Sequence, residues 1–159
     1  MSKKYTIICD TREQLPIIWR ESSTIAGTIR QKLDSGDYSI LGLENVVTVE
    51  RKGSAAEFAK NVLEDRFYRE LERLNTQYKY VFLILEFSQE ELEGYPYKSK
   101  IPPKIKKRIR IRGSFLLKKI IEIQKDYPNI QLIFCEIGAK QLIEKIFNII
   151  YGKTKKTKS

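Results

Sequence analysis

The chain has 159 residues, 42% of them apolar, enough for one domain around one sizeable core. Thirty lysines and arginines against twenty acidic residues leave a net charge of +10, which makes a polyanion the first partner to consider. Histidine is absent, which excludes the serine and cysteine triads, the metalloprotease helix and every histidine-ligated zinc, while two cysteines are too few for zinc ribbons or a disulfide framework. Carboxylates, lysines and oxygen-binding metals are the chemistry that remains. Cys9 and Cys135 sit inside apolar runs, where a reduced thiol behaves as a small hydrophobe, so a cytosolic, reducing compartment is expected. The N-terminus becomes charged again at Asp10 before a signal-peptide core can build, and the longest apolar run, Tyr80 to Phe87, is too short to span a bilayer. The expectation is an intracellular, cytoplasmic protein, in the cytosol or at the nucleoid, without a membrane segment.

Lys4 to Cys9 is β-branched and aromatic and runs into Asp10-Thr11-Arg12-Glu13, which predicts a buried strand with a polar tip. Ser22 to Ser35 fits both helical and extended spacing and is read as a strand. Asp37 to Leu41 and Val46 to Arg51, joined by Gly42-Leu43-Glu44-Asn45, predict a hairpin. From Ser54 to Gln77 the pattern turns helical, with Phe58, Val62, Phe67, Leu71 and Leu74 on one face and a capping box from Ser54 and Glu57. Tyr80 to Glu86 is nearly all apolar, as expected of a central strand covered on both faces. Ser88 to Pro103 reads as a long loop. Gly113 to Lys125 reads as a helix, Ile130 to Cys135 as a strand and Lys140 to Tyr151 as a last helix. Residues 1–152 then form one domain and 153–159 a basic, disordered tail. Strands alternating with helices imply an α/β layer fold.

The chemistry gathers on the hairpin. Side chains alternate along a strand, so Glu50 and Lys52 project to one side and Arg51 to the other. With twelve residues between Asp37 and Glu50, the hairpin delivers two carboxylates and an ammonium to one spot. Two carboxylates can hold Mg²⁺ or Mn²⁺, which neutralises phosphate charge and activates water, and the lysine can orient that water or stabilise developing charge. An exposed hairpin also produces such triplets as solvated ladders of little consequence. Here, however, Glu50 and Lys52 end an apolar run and a second acidic cluster occupies another strand tip.

Gly36-Asp37-Tyr38 followed by Val49-Glu50-Arg51-Lys52 resembles the G-D-x(n)-E-R-K-x-x-x-D signature of the XPF-type structure-specific endonuclease domain. The likeness extends upstream to Ile8-Cys9-Asp10-Thr11-Arg12-Glu13 and downstream to Arg66-Phe67, Glu70-Leu71 and Arg73-Leu74, with Gly113-Ser114 opening a later helix. The resemblance implies an α/β, restriction-endonuclease-like three-layer fold, a central mixed β-sheet flanked by helices. It also implies a divalent-metal-dependent DNA endonuclease cutting phosphodiesters at branched, flap or single-strand/double-strand junction DNA. Residue by residue, it assigns metal coordination to Asp37 and Glu50, with Asp10 nearby, and catalysis to Lys52. Arg12, Glu13 and Arg51 would support the site or touch the phosphate backbone, and Arg66 would join them. The signature's last aspartate falls on Ala56; either the neighbouring Glu57 replaces it as a metal ligand or Glu57 only completes the cap. The resemblance further implies a homodimer, or a heterodimer with a related nuclease-fold subunit, for which the last two helices offer apolar faces that could equally cover the sheet. A stand-alone domain without helix-hairpin-helix repeats or a helicase is expected.

Lys98 to Lys119 holds ten basic residues and no acid, densest at Lys104, Lys106, Lys107, Arg108, Arg110 and Arg112. Such a one-signed patch suits salt-sensitive, sequence-independent nucleic-acid binding, where the bland alternative is a solubilising charge run. Trp19, Tyr95 and Tyr97 lie in loop-like segments, as packing anchors or as stacking surfaces for unpaired bases. A catalytically silent DNA-binding module and an RNA-processing nuclease are the competing functions.

Overall fold

The β-branched runs read from the sequence form a single sheet in the computed structural model, which describes residues 3–157. Its strands are β1 (Tyr5–Cys9), β2 (Ile25–Arg30), β3 (Tyr38–Ile40), β4 (Val47–Lys52), β5 (Tyr80–Leu85) and β6 (Ile130–Phe134). The spatial order is β2-β1-β3-β4-β5-β6. The β1–β3 and β3–β4 pairs are antiparallel, and β1–β2, β4–β5 and β5–β6 are parallel, so the sheet is mixed. The ambiguous segment after Ser22 is thus an edge strand, and β5 is an interior one, as its all-apolar sequence predicts.

Helices α1 (Ala55–Asn61), α2 (Asp65–Gln77) and α5 (Gly113–Asp126) cover one face, where Phe58, Phe67, Leu71, Leu74, Leu116 and Ile123 pack on Val81, Leu83 and Leu85. Helix α6 (Ala139–Thr157) covers the other, burying Ile143, Phe147 and Ile150 against Ile7, Ile40, Val49 and Ile84. Alternate residues of β5 therefore enter opposite cores, giving the three-layer arrangement. The last two helices bury Leu116, Ile123, Ile143, Phe147 and Ile150 against the sheet, while Ile121 and Ile149 stay exposed. Among the described residues no helix is long and apolar enough to cross a membrane.

Three sequence expectations are corrected. The helix expected from Ser54 to Gln77 is two helices, because the step from Val62 to Phe67 is five residues, ~140° out of phase with a continuous helical face. Extended backbone at Glu64 resets the phase, and Phe67 then meets Phe58 edge-on with ring centroids 6.3 Å apart. The long loop after Ser88 is partly ordered as α3 (Gln89–Glu93), capped by Ser88, whose Oγ accepts from the Glu91 N–H at 3.0 Å, and followed later by the short α4 (Pro103–Lys106). The basic segment expected to be a disordered tail from Lys153 continues α6 to Thr157. Lysine is a good helix former, and the Lys153 ammonium lies 5.7 Å from the Tyr80 ring centroid. The boundary expected at 152 falls inside that helix, and residues 158–159 lie outside the described residues.

The start of α5 passes so close to the end of α3 that a Cβ on Gly113 would stand 2.0 Å from the Glu93 carbonyl oxygen. Among the described residues, nothing beyond the chain neighbours and the helix's own backbone lies within 4 Å of the corresponding point at Gly152. Gly113→Ala should lower stability by about 1–3 kcal/mol, read as a fall in the urea midpoint at unchanged slope, whereas Gly152→Ala in α6 should hold or raise it.

Candidate active site

Three strand ends meet at the site. The Asp10 N–H donates to the Asp37 carbonyl at 2.8 Å, and the Asp37 N–H donates to the Val49 carbonyl at 2.8 Å. The tips of β1, β3 and β4 are therefore locked side by side, with Asp10, Asp37 and Glu50 on neighbouring positions. Gly36 permits this approach: its φ is +87°, and a Cβ there would stand 1.9 Å from Thr48 Oγ1.

Asp37 is half-buried, and its Oδ2 accepts from the Arg51 backbone N–H at 2.7 Å. Burial pushes its carboxyl up to about 7; the Arg51 N–H and Lys52 oppose that shift, and the charges of Glu13 and Glu70 add to it. Glu50 is 8% exposed and is pushed well above the ordinary carboxylate range by burial, then by Asp37 and Glu70. Lys52, buried beside Glu50, holds its Nζ 3.4 Å from Glu50 Oε1, 3.9 Å from Glu57 Oε1 and 5.3 Å from the centroid of the Phe67 ring. Two buried carboxyl groups that share one nearby ammonium form a site that favours an added cation. Asp37 and Glu50 open onto a cavity of about 270 Å³, whose lining also includes Asp10, Arg12, Arg66 and Glu70.

The remaining residues named from the sequence fall into different positions. Both Asp10 oxygens are engaged: Oδ2 accepts from Arg12 Nε at 2.8 Å and Arg12 N–H at 3.1 Å, and Oδ1 from the Leu33 N–H at 2.8 Å. Burial pushes the Asp10 carboxyl up, but these hydrogen bonds together hold it below its ordinary value. Arg12 also donates to the Leu33 carbonyl at 2.7 Å and keeps 61% of its side chain exposed at the cavity. Glu57 also approaches Lys52, its Oε2 accepting from the Gly53 N–H at 2.9 Å while its own N–H donates to Ser54 Oγ at 3.1 Å. It lines a neighbouring cavity of about 420 Å³ with Glu13, Arg51 and Glu86. Among the described residues, no three acidic side chains are grouped so as to hold a metal ion. In this conformation the Asp10 oxygens are taken by Arg12 and the Leu33 N–H, and Glu57 Oε2 by the Gly53 N–H.

Arg51 points away from Glu50 and Lys52, as alternation requires. Its guanidinium pairs with both oxygens of Glu86 at 2.9 and 3.1 Å, with Glu13 at 3.4 Å and with the Leu15 carbonyl at 3.1 Å. It ties β4, the end of β5 and the loop after β1 into one block. Arg66 sits at the cavity rim, 78% of its side chain exposed, 3.4 Å from Glu64. Lys104, Lys106, Lys107, Arg108, Arg110 and Arg112 lie on α4 and the segment after it, away from the carboxylate cavity. Their loop borders the strand tips through Ser99, Lys100 and Ile101, which share a cavity of about 470 Å³ with Gly53, Ala56 and Glu86.

Sequence reasoning missed Glu70 and Glu86 as members of the site. Arg66, Glu70 and Arg73 recur at helical spacing and all line the Asp37 cavity, so the polar side of α2 was the available signal. An acid ending the otherwise apolar run Tyr80 to Leu85 was the signal for Glu86.

A family model described as the ERCC4 domain matches residues 9–148, so the chain belongs to that family. The domain it forms is an XPF-type nuclease domain. Among solved structures, XPF from Aeropyrum pernix superposes with a TM-score of 0.61 at 24% identity, covering 91% of this chain and 60% of that one. The same protein in complex with DNA gives 0.63 at 23% identity, covering 94% and 66%. At that identity the likeness is one of fold, and this chain spans about 60 to 66% of the length of those relatives. No curated protein matches in sequence.

A metal-free Asp37 carboxyl near 7 retains a proton that the unfolded chain, with the ordinary value of 3.8, releases. The contribution of this group to stability is fully present below about pH 4 and is lost as pH rises through about 7. In EDTA the wild-type urea midpoint should fall across that window more steeply than that of Asp37→Asn. Equal slopes would contradict the shift.

Proposed function

We propose that the chain is a divalent-metal-dependent DNA endonuclease that hydrolyses phosphodiester bonds at branched, flap or single-strand/double-strand junctions. One observation carries the reading: Asp37 and Glu50 sit together at neighbouring strand ends, electrostatically strained, with Lys52 beside them and a cavity in front. The donor set fits Mg²⁺ or Mn²⁺, which are held through one or two carboxylates and complete their shells with water and phosphate oxygens. Asp37 and Glu50 would hold the ion. When bound, it neutralises phosphate charge and acidifies an attacking water.

The protein's own groups do the rest. Asp37 and Glu50 would hold the cation as carboxylates, its charge offsetting the burial and the mutual repulsion that raise their proton affinity. Lys52, held in place by Glu50 and the Phe67 ring, stabilises negative charge developing on the phosphate oxygens. Arg12 and Arg66, exposed at the cavity rim, engage flanking phosphates. Asp10 acts as a positioning residue for Arg12 through its paired hydrogen bonds, and Arg51 as the clamp that fixes β4 through Glu86 and Glu13. The basic segment from Lys98 to Lys119 captures backbone beyond the cavity. The Aeropyrum pernix complex supports DNA as the ligand class of this fold. Pairing with a second nuclease-fold subunit and an intracellular location complete the proposal.

The silent-module alternative draws on Ala56 at the signature's last acidic position and on the engaged oxygens of Asp10. It predicts intact DNA affinity with no cleavage under any divalent ion. On the nuclease reading, Asp37→Ala, Glu50→Ala and Lys52→Ala should each abolish Mg²⁺- or Mn²⁺-dependent cutting of a labelled DNA flap, on gels, while DNA binding in EDTA persists. Retained cleavage in all three would refute it, and preferential cutting of a matched RNA junction would shift the substrate class. Glu57→Ala should leave cleavage within about threefold and cost about 1 kcal/mol of stability, as expected of a capping residue. A loss of cutting without a loss of stability would instead make Glu57 a ligand.

A further inference from the structure

Of the three loop aromatics, Trp19 and Tyr95 are 3% and 6% exposed and serve the core, whereas Tyr97 is 60% exposed. Its backbone is nonetheless fixed from both sides. The Gly113 N–H donates to the Tyr95 carbonyl at 3.1 Å, the Ser99 N–H donates to the Pro96 carbonyl at 3.2 Å, and the Lys106 ammonium donates to the Tyr97 carbonyl at 3.0 Å. The Arg112 guanidinium lies 5.4 Å from the Tyr97 ring centroid. Arg112 is in turn held by the Ile109 carbonyl and directly precedes α5. A large apolar ring is thus displayed to solvent on an anchored loop. A single exposed ring is ordinary on a protein surface; what distinguishes this one is its anchored backbone and the cations around it.

The chemistry around the ring selects that partner. Lys100, Lys104, Lys107, Arg108 and Arg110 are all exposed, and no acid occurs between Lys98 and Lys119. At the ends of the run Lys98 is paired with Glu90 at 2.7 Å, and Lys118 and Lys119 with Glu122 at 3.8 and 3.2 Å. An aromatic face beside a run of exposed cations matches a polyanion that also carries flat, unpaired rings. A duplex offers the charge but keeps its bases stacked inside, whereas a single strand offers both. The same loop reaches the strand tips, since Ser99, Lys100 and Ile101 line a cavity with Gly53, next to Lys52.

We propose that Tyr97, with Arg112 beside it, is a stacking platform for an unpaired base of single-stranded DNA, the strand being led toward the Asp37–Glu50 cavity along the Lys98 to Lys107 segment. This deepens the nuclease reading by naming where the unpaired arm of a junction lies. The platform supplies the preference for unpaired nucleotides, and the surrounding cations supply affinity that any nucleic-acid backbone shares.

The test is fluorescence anisotropy in EDTA, where no cleavage interferes, with labelled oligothymidylate, an abasic strand of equal length and a duplex. Tyr97→Ala should weaken oligothymidylate binding about tenfold, the equivalent of ~1.4 kcal/mol, while abasic and duplex binding change less than about twofold. Tyr97→Phe and Tyr97→Trp should restore the oligothymidylate affinity, and the indole fluorescence that the second substitution introduces should be quenched on binding. Three results would overturn the platform: unchanged oligothymidylate affinity in Tyr97→Ala, an equal loss for all three ligands, or no rescue by phenylalanine. Urea midpoints of each variant separate misfolding from lost stacking. Because these readouts need no catalysis, a failed platform leaves flap cleavage standing, and an inactive wild-type enzyme leaves the stacking result standing.

Discussion

The structure is organised around an electrostatic conflict: two carboxylates, Asp37 and Glu50, at adjacent strand ends inside a half-closed cavity, with a buried lysine between one of them and solvent-facing Glu57. Water cannot screen the pair fully, and Lys52 neutralises only part of it. Either protons or a cation must complete the balance, and which of them does so depends on pH and on metal supply. Every neighbouring feature tightens this conflict or frames it. Glu70 adds a further negative charge from α2, and the Arg51 N–H pins one Asp37 oxygen so that the carboxylate cannot swing away from Glu50.

Holding such a pair requires a stiff frame, and the frame is backbone. Hydrogen bonds from Asp10 to Asp37 and from Asp37 to Val49 lock three strand tips, Gly36 lets β3 approach Thr48, and the Glu86 N–H donates to the Lys52 carbonyl at 2.8 Å on the other flank. Arg51 then fastens the block from behind by gripping Glu86 and Glu13. The division of labour along Glu50-Arg51-Lys52 follows from strand alternation: Glu50 lines the cavity with Lys52 buried beside it, and the middle residue braces the strand from the other side. The same sheet that supplies the frame is insulated on both faces by α1, α2 and α5 on one side and α6 on the other, so strain at the tips is resisted by two packed cores.

Much of this was legible in the sequence because it is local or periodic. The hairpin, the shared side of Glu50 and Lys52, the opposite orientation of Arg51 and the buried interior strand at Tyr80 all follow from period two and apolar runs. The ordered motifs pointed to the same three-layer α/β fold that the ERCC4-domain match and the Aeropyrum pernix structures bear out. What stayed hidden depends on contacts through space. Nothing in the string reveals that Leu33, more than twenty residues away, satisfies Asp10, or that Gly53 and Lys52 engage Glu57. The break between α1 and α2 was written in the five-residue step from Val62 to Phe67, but a single phase slip is easily absorbed into one long amphipathic pattern. The continuation of α6 past Gly152 was masked by lysines, whose charge suggests a tail even though their helix propensity permits a helix.

The central claim is that Asp37 and Glu50 jointly hold a divalent cation. A crystal soaked in Mn²⁺ at alkaline pH, with data collected at the manganese absorption edge, tests it most directly. The expected result is an anomalous peak within bonding distance of one oxygen from each carboxylate, absent from crystals of Glu50→Gln. A saturated soak with no peak there, or with manganese lodged instead between Glu13, Glu57 and Glu86, would contradict it.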